Sequence, residues 1–186
     1  MGKLIMISGG ARSGKSSYGE SLLEKENDVL YIATARAEDN EMKDRVKIHQ
    51  ERRNDQWTTF EGYKDISQSI QEILKDKTSI FLDCITLLVS NFFVYDFNVN
   101  WDNPDKTVLR QIELAVFNEI EDLIELSEDF DGDFIVVTNE VGLGIVPSTP
   151  LGRIYRDVAG KVNMKIASAA QEVHFVVSGI PMKIKG

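Results

Sequence analysis

The stretch Leu4-Ile5-Met6-Ile7-Ser8-Gly9-Gly10-Ala11-Arg12-Ser13-Gly14-Lys15-Ser16 decides the fold. An apolar run leads into a glycine-rich turn, and a segment with helical character follows. Gly9 to Ser16 fits the P-loop pattern G-x-x-x-x-G-K-[ST]. Glycines let backbone N–H groups turn inward as an anion cradle. The N-terminus of the next helix adds partial positive charge. Lys15 is placed to reach β- and γ-phosphates, and Ser16 offers a hydroxyl to Mg²⁺. Gly9, Gly10, Ala11, Arg12, Ser13, Gly14, Lys15 and Ser16 are therefore candidate nucleotide contacts. Lys15 is also a catalytic candidate, and Ser16 a metal-ligand candidate.

Outward from this loop, apolar runs alternate with helical patterns. Strands are expected at residues 4–8, 28–33, 57–61, 79–83, 134–138 and 173–178. Helices are expected at 15–25, 38–53, 64–75, 84–95, from the Pro104 region to about Leu126, and at 150–171. The long helix carries Leu109, Ile112, Val116, Ile120 and Leu123 as its buried stripe. The aromatic, polar segment 95–103 has no period and is expected to be a loop. Gly179-Ile180-Pro181 is expected to turn the chain, with Met182-Lys183-Ile184 returning antiparallel. Strand–helix alternation implies an α/β fold of the P-loop NTPase type (RecA-like). The sheet is doubly wound and mostly parallel, with one antiparallel edge strand, in a single domain over 1–186.

Ligands of open α/β sheets sit at the carboxyl ends of strands, so the strand ends supply the next candidates. Residues 28–33 end in Thr34-Ala35-Arg36. Ser79-Ile80-Phe81-Leu82-Asp83 is an apolar strand ending in a carboxylate, the form of a Walker-B element, and Asp83 is a candidate Mg²⁺ ligand, direct or through water. Phe134-Ile135-Val136-Val137-Thr138 runs into Asn139-Glu140-Val141-Gly142-Leu143-Gly144, either a site or ordinary turn chemistry. In the 38–53 segment, Arg45, Arg52 and Arg53 share a helical face with His49. Three guanidiniums would keep that imidazole neutral, and a neutral imidazole is a nucleophile. The alternative is a solvated charged helix with an idle histidine. His174, inside a strand run, is read as structural. Arg153, Arg156, Asp157 and Lys161 form the polar face of the 150–171 helix.

The net charge of −9 argues against a general nucleic-acid binder, which needs a basic footprint. Acidic residues crowd the stretch between Arg110 and Arg153, which holds no Lys or Arg, and most are expected to be solvated. The one cysteine, Cys84, suits a reducing compartment. No cleavable signal and no membrane-spanning run are evident, so a cytoplasmic location is expected. At this level the chain reads as a nucleotide-dependent phosphoryl or nucleotidyl transferase with an unnamed acceptor. A plain P-loop small-molecule kinase and a nucleotide-dependent switch module are alternatives.

The whole chain resembles the bifunctional adenosylcobinamide kinase / adenosylcobinamide-phosphate guanylyltransferase family. Beyond the P-loop, the resemblance rests on four stretches. They are His49-Gln50-Glu51-Arg52-Arg53 with Trp57 and Glu61; Leu82-Asp83-Cys84-Ile85-Thr86 with Val89-Ser90-Asn91; Val137 to Pro147; and Ser178-Gly179-Ile180-Pro181. It implies phosphorylation of adenosylcobinamide by ATP or GTP. GMP then passes from GTP, through a histidine-GMP phosphoramidate at His49, to adenosylcobinamide phosphate. It also implies GTP contacts at residues 9–16, Ala33, Thr34, Ala35, Gln50, Glu51, Arg52, Arg53, Glu61 and Asp83, and a homotrimer. Arg52 and Arg53 would neutralise triphosphate charge. Glu61 would accept hydrogen bonds from ribose or guanine, and Asp83 would do so or serve Mg²⁺. Two departures stand out: Asn54 where the family often has proline, and Leu88 where it often has tryptophan. The second is expected to alter a hydrophobic contact, the corrinoid being one candidate.

Overall fold

The computed structural model describes residues 2–36, 54 and 56–186. The strands are β1 (Leu4–Gly9), β2 (Val29–Ala33), β3 (Thr58–Glu61), β4 (Ser79–Asp83), β5 (Asp133–Val137), β6 (Glu172–Val177) and β7 (Ile180–Lys185). They form one seven-stranded sheet in the order β3-β2-β4-β5-β1-β6-β7. Every pairing is parallel except β6 with β7. The described helices are α1 (Lys15–Leu22), α2 (Ile66–Ser69), α3 (Ile85–Asn91), α4 (Lys106–Asp129) and α5 (Pro150–Ala169).

Side chains alternate across a strand, and here the alternation builds two cores. Leu4, Met6, Leu30, Ile32, Ile80, Leu82, Phe134 and Val136 face α2 to α5. Ile5, Ile7, Val29, Tyr31, Phe81, Ile135 and Val137 face the other way, with Tyr18 of α1 packed against them. Parallel crossovers are right-handed, so connections stepping in opposite directions lie on opposite faces. The step from β1 to β2 runs one way along the sheet, and those from β3 to β4, β4 to β5 and β5 to β6 run the other.

Several element boundaries differ from expectation. The 64–75 helix is broken into α2 and a 3₁₀ turn at Ile73–Asp76. Ser69 Oγ donates to Asp65 O (2.7 Å) and Gln71 Nε2 to Ser67 O (3.1 Å), side chains that compete for helical carbonyls. Buried Glu119 accepts from the amides of Asp65 (2.7 Å) and Ile66 (3.0 Å), fixing the start of α2 from α4. α1 stops at Leu22, and α3 continues as a π-helical turn, Phe92–Asp96. α4 begins after Pro104 because Asp105 caps it through Thr107 N (2.6 Å). The terminal hairpin turns at Ser178-Gly179, with φ of 51° and 81°, and Ile180-Pro181 already belong to β7. Two central residues with positive φ suit a two-residue hairpin.

Leu88 is fully buried in the larger core, so the hydrophobic contact expected of it lies within the fold. Most of the acidic stretch is exposed, as expected; Glu119 is the buried exception, and Glu113 and Glu121 pair with Lys161 and Lys165 of α5. His174 is structural as expected, buried between Tyr18 Oη (3.0 Å) and Glu172 (3.3 Å).

Candidate functional site

The register aligns the carboxyl edge in one row. Glu61 pairs with Ala33, Ala33 with Asp83, Asp83 with Val137, and Val137 with Ile7. The P-loop leaves β1 two residues beyond this row. β5 lies between β1 and β4, so its carboxyl end falls between the cradle and Asp83. The chain leaves β1 and β5 toward opposite faces, which makes this the crevice where open sheets bind ligands.

Gly14 caps α1 with φ 97°, a left-handed conformation that L side chains rarely adopt. Behind it stands the hairpin tip: Gly179 N donates to Ser13 O (2.8 Å). A Cβ on Gly14 would lie 3.3 Å from Gly179 Cα. Buried Lys15 donates from Nζ to Gly10 O (2.6 Å). Burial lowers its pKa, against the opposing pull of Cys84 and Asp83. Ser13 Oγ and Ser8 Oγ are buried without hydrogen-bond partners. Orphaned hydroxyls beside a cationic side chain and a helix N-terminus fit a phosphate group.

Asp83 accepts from Tyr31 Oη at 3.1 Å through Oδ2. Thr34 Oγ1 donates to Cys84 O (2.7 Å) and accepts from Cys84 N (2.8 Å), while Asn91 Nδ2 donates to Thr34 O (2.7 Å). Thr86 Oγ1 accepts from Asn139 Nδ2 (2.7 Å), and Asn163 Nδ2 donates to Asn139 O (3.1 Å). The contact of Cys84 Sγ with Thr86 Oγ1 (3.2 Å) joins these two sets, so polar groups at three strand ends form one largely buried network. Thr86, Asn91 and Asn139 stood in the resembling stretches without an assigned role. Their signal was polarity immediately after apolar strands. The Cys84 thiol is pushed up to about 11, chiefly by burial.

Arg36 lies over the Tyr95 ring, its Cζ 4.1 Å from the centroid. Tyr63 donates to Asp96 Oδ1 (2.8 Å), and burial, followed by this bond, raises its pKa. Arg153, Asp157 and Lys161 are exposed on the polar face of α5, as expected, with Arg156 half-buried beside them. Arg153 donates to Pro147 O and Ser148 O, and Arg156 to Gly142 O, so α5 holds the loop after β5.

The structure brings residues 9–16, Ala33, Thr34, Ala35, Glu61 and Asp83 to one edge. They are not equivalent: Glu61 is four strand positions from β1, ~19 Å at the usual interstrand spacing. His49, Gln50, Glu51, Arg52 and Arg53, and the expected helix at 38–53, lie outside the described residues. Among the described residues no cluster of three or more His, Cys, Asp or Glu could hold a metal. The Ser16 hydroxyl and Asp83 carboxylate nevertheless suit Mg²⁺, which takes one or two protein oxygens and completes its shell with phosphate and water.

The family model described as CobU, cobinamide kinase / cobinamide phosphate guanyltransferase, matches residues 5–184. The chain belongs to this family. It is a bifunctional kinase and guanyltransferase, and nucleotide use follows from both activities. Curated relatives agree over nearly the full length. The "Bifunctional adenosylcobalamin biosynthesis protein CobU" of Escherichia coli K12 is 40% identical, covering 98% of this chain and 99% of its own. The protein of the same name from Salmonella typhimurium LT2 is 41% identical with the same coverage. The "Bifunctional adenosylcobalamin biosynthesis protein CobP" of Pseudomonas aeruginosa PAO1 is 36% identical, covering 97% and 96%. Among the described residues of this family member, no helix is long and apolar enough to cross a membrane.

Proposed function

We propose that this chain phosphorylates adenosylcobinamide with ATP or GTP, then passes GMP from GTP to the resulting phosphate, giving adenosylcobinamide-GDP. The observation that carries this reading is a phosphate cradle with buried Lys15 facing Asp83 across β5, in a chain matched by the family from residue 5 to 184. The names of the relatives supply the adenosylcobalamin pathway.

In the kinase step the loop amides of residues 9–16 and Lys15 hold the β- and γ-phosphates. Ser16 and Asp83 hold Mg²⁺, which neutralises phosphate charge when bound. The acceptor hydroxyl oxygen attacks the γ-phosphorus, and the nucleoside diphosphate leaves with the bridging oxygen. In the second step a nitrogen of His49 attacks the α-phosphorus of GTP. Pyrophosphate departs and GMP remains on the imidazole. A phosphate oxygen of adenosylcobinamide phosphate then displaces the imidazole. Arg52 and Arg53 offset the charge that develops on the triphosphate. Ala33, Thr34, Ala35, Gln50, Glu51 and Glu61 contact the rest of the GTP. The active unit is a cytoplasmic homotrimer in which the segment bearing His49 completes a neighbour's site.

The test is incubation with [α-³²P]GTP, with and without adenosylcobinamide phosphate. Acid-labile, base-stable label is expected on the protein, released by the corrinoid and absent in His49→Ala. Full labelling of that variant would sink the assignment. Absence of label from the wild type, with γ-phosphoryl transfer intact, would identify a plain kinase.

A further inference from the structure

We propose that Glu140 is the general base of the kinase half-reaction, taking the proton from the acceptor hydroxyl as it attacks the γ-phosphate. This rests on the kinase reading above.

Three observations converge on Glu140. The first is position. Val137 is level with both Ile7 and Asp83, so Glu140, three residues further on, leaves the edge between the cradle and the Asp83 carboxylate. The nucleotide's γ-phosphate would lie between the same two groups. The second is attachment. Glu140 N donates to Gly9 O at 3.0 Å, fastening the residue's own backbone to the first residue of the P-loop. The third is the state of the carboxylate. Oε1 accepts from Gly142 N at 2.7 Å, and Gly142 O accepts from Arg156 of α5. Among the described residues Oε2 has no hydrogen-bond or ion-pair partner, and the residue is only half-buried. One oxygen is thus used to fix the group and the other remains available, the arrangement a base needs.

Among the described residues, Asp83 is the other carboxylate at this crevice, and Tyr31 and the charge of Lys15 already engage it. It suits the metal, which leaves the proton to Glu140. The step balances: the hydroxyl proton passes to Glu140 Oε2, the hydroxyl oxygen bonds to the γ-phosphorus, and the β–γ bridging oxygen leaves with its electron pair. The proton is lost to water after product release.

A purely structural role, clamping the loop through Gly142, is separable from catalysis. Gln keeps a carbonyl oxygen for Gly142 N but cannot accept the proton. Steady-state kinase kinetics of Glu140→Gln and Glu140→Asp with adenosylcobinamide and ATP are compared with wild type. Self-guanylylation by [α-³²P]GTP and thermal melting are measured on the same preparations. The expected result is a kcat lower by roughly 10²–10³-fold in Glu140→Gln, the usual worth of a positioned base. KM should stay close to wild type, guanylylation should be spared relative to the kinase, and Glu140→Asp should recover part of kcat. A kinase kcat within a few-fold of wild type would overturn the proposal. So would a parallel fall of both activities together with melting temperature, the mark of a clamp alone. Wild-type turnover in the same assay reports separately on the kinase activity itself.

Discussion

Thr34 and Cys84 exchange two hydrogen bonds through one hydroxyl: Thr34 Oγ1 donates to Cys84 O at 2.7 Å and accepts from Cys84 N at 2.8 Å. Both residues are buried, so the end of β2 is locked to the residue after Asp83. Thr34→Val keeps the shape and removes both bonds, stranding a buried amide and carbonyl. The expected loss is about 2–4 kcal/mol in urea unfolding, from the usual cost of unsatisfied buried groups. Thr34→Ser should retain most of the stability. Kinase activity should fall with the Val variant, because the lock positions Asp83.

Cys84 should be chemically silent in the folded protein. Its thiol is buried and pushed up to about 11, so thiolate is scarce at neutral pH. A disulfide reagent should label the unfolded chain stoichiometrically and the native chain only at the rate of opening. The linkage sign follows from an acid whose folded pKa is raised. The unfolded thiol ionises first, near 9, so stability falls as pH rises from about 9 toward 11. Cys84→Ser should flatten that part of a stability–pH curve.

Removing Lys15 should silence the phosphate cradle. It is buried in the P-loop and bonded to Gly10 O. Lys15→Met should leave the fold intact, since Met covers similar apolar area. It should lower kinase kcat by about 10²–10³-fold, the usual loss on deleting one transition-state donor. Steady-state kinetics beside a melting curve checks both halves.

Glu172 ties three elements together at the other end of the molecule. It pairs with Lys3 (2.7 Å) and Lys183 (3.0 Å) and approaches His174 (3.3 Å). The bond to Lys3, then those to Lys183 and His174, hold its pKa down to about 2. A lowered carboxylate contributes stability that is present above the unfolded value, 4.5, and lost as pH falls toward 2. Glu172→Gln should therefore flatten the acid slope of stability in that window, with its destabilisation largest at neutral pH and vanishing as pH falls toward 2. Added salt should shrink the difference, because the lysines are about half exposed.

The hydrophobic pattern of the sequence determined the strands, because a parallel strand buried on both faces must be continuously apolar. Leu4 to Ile7, Ile80 to Leu82 and Phe134 to Val137 meet that demand. The P-loop and the antiparallel return of β7 were also legible, since glycine spacing and turn residues act through local backbone geometry. The sequence also carried the family, through ordered stretches spread over the whole chain. What only the tertiary structure decided was which strand ends are neighbours. Nothing local says that β5 lies between β1 and β4, or that Gly179 stands behind Ser13. Helix 64–75 failed as one element where side chains compete for its carbonyls, and its start is set by Glu119, more than fifty residues away, which takes its first two amides. The motif marked Leu88 as a hydrophobic contact, and only packing decided that its partners are core side chains. Periodicity and turn chemistry are written in neighbouring residues. The meeting of Asp83, Lys15 and Glu140 is written in the order of the sheet, which long-range packing selects.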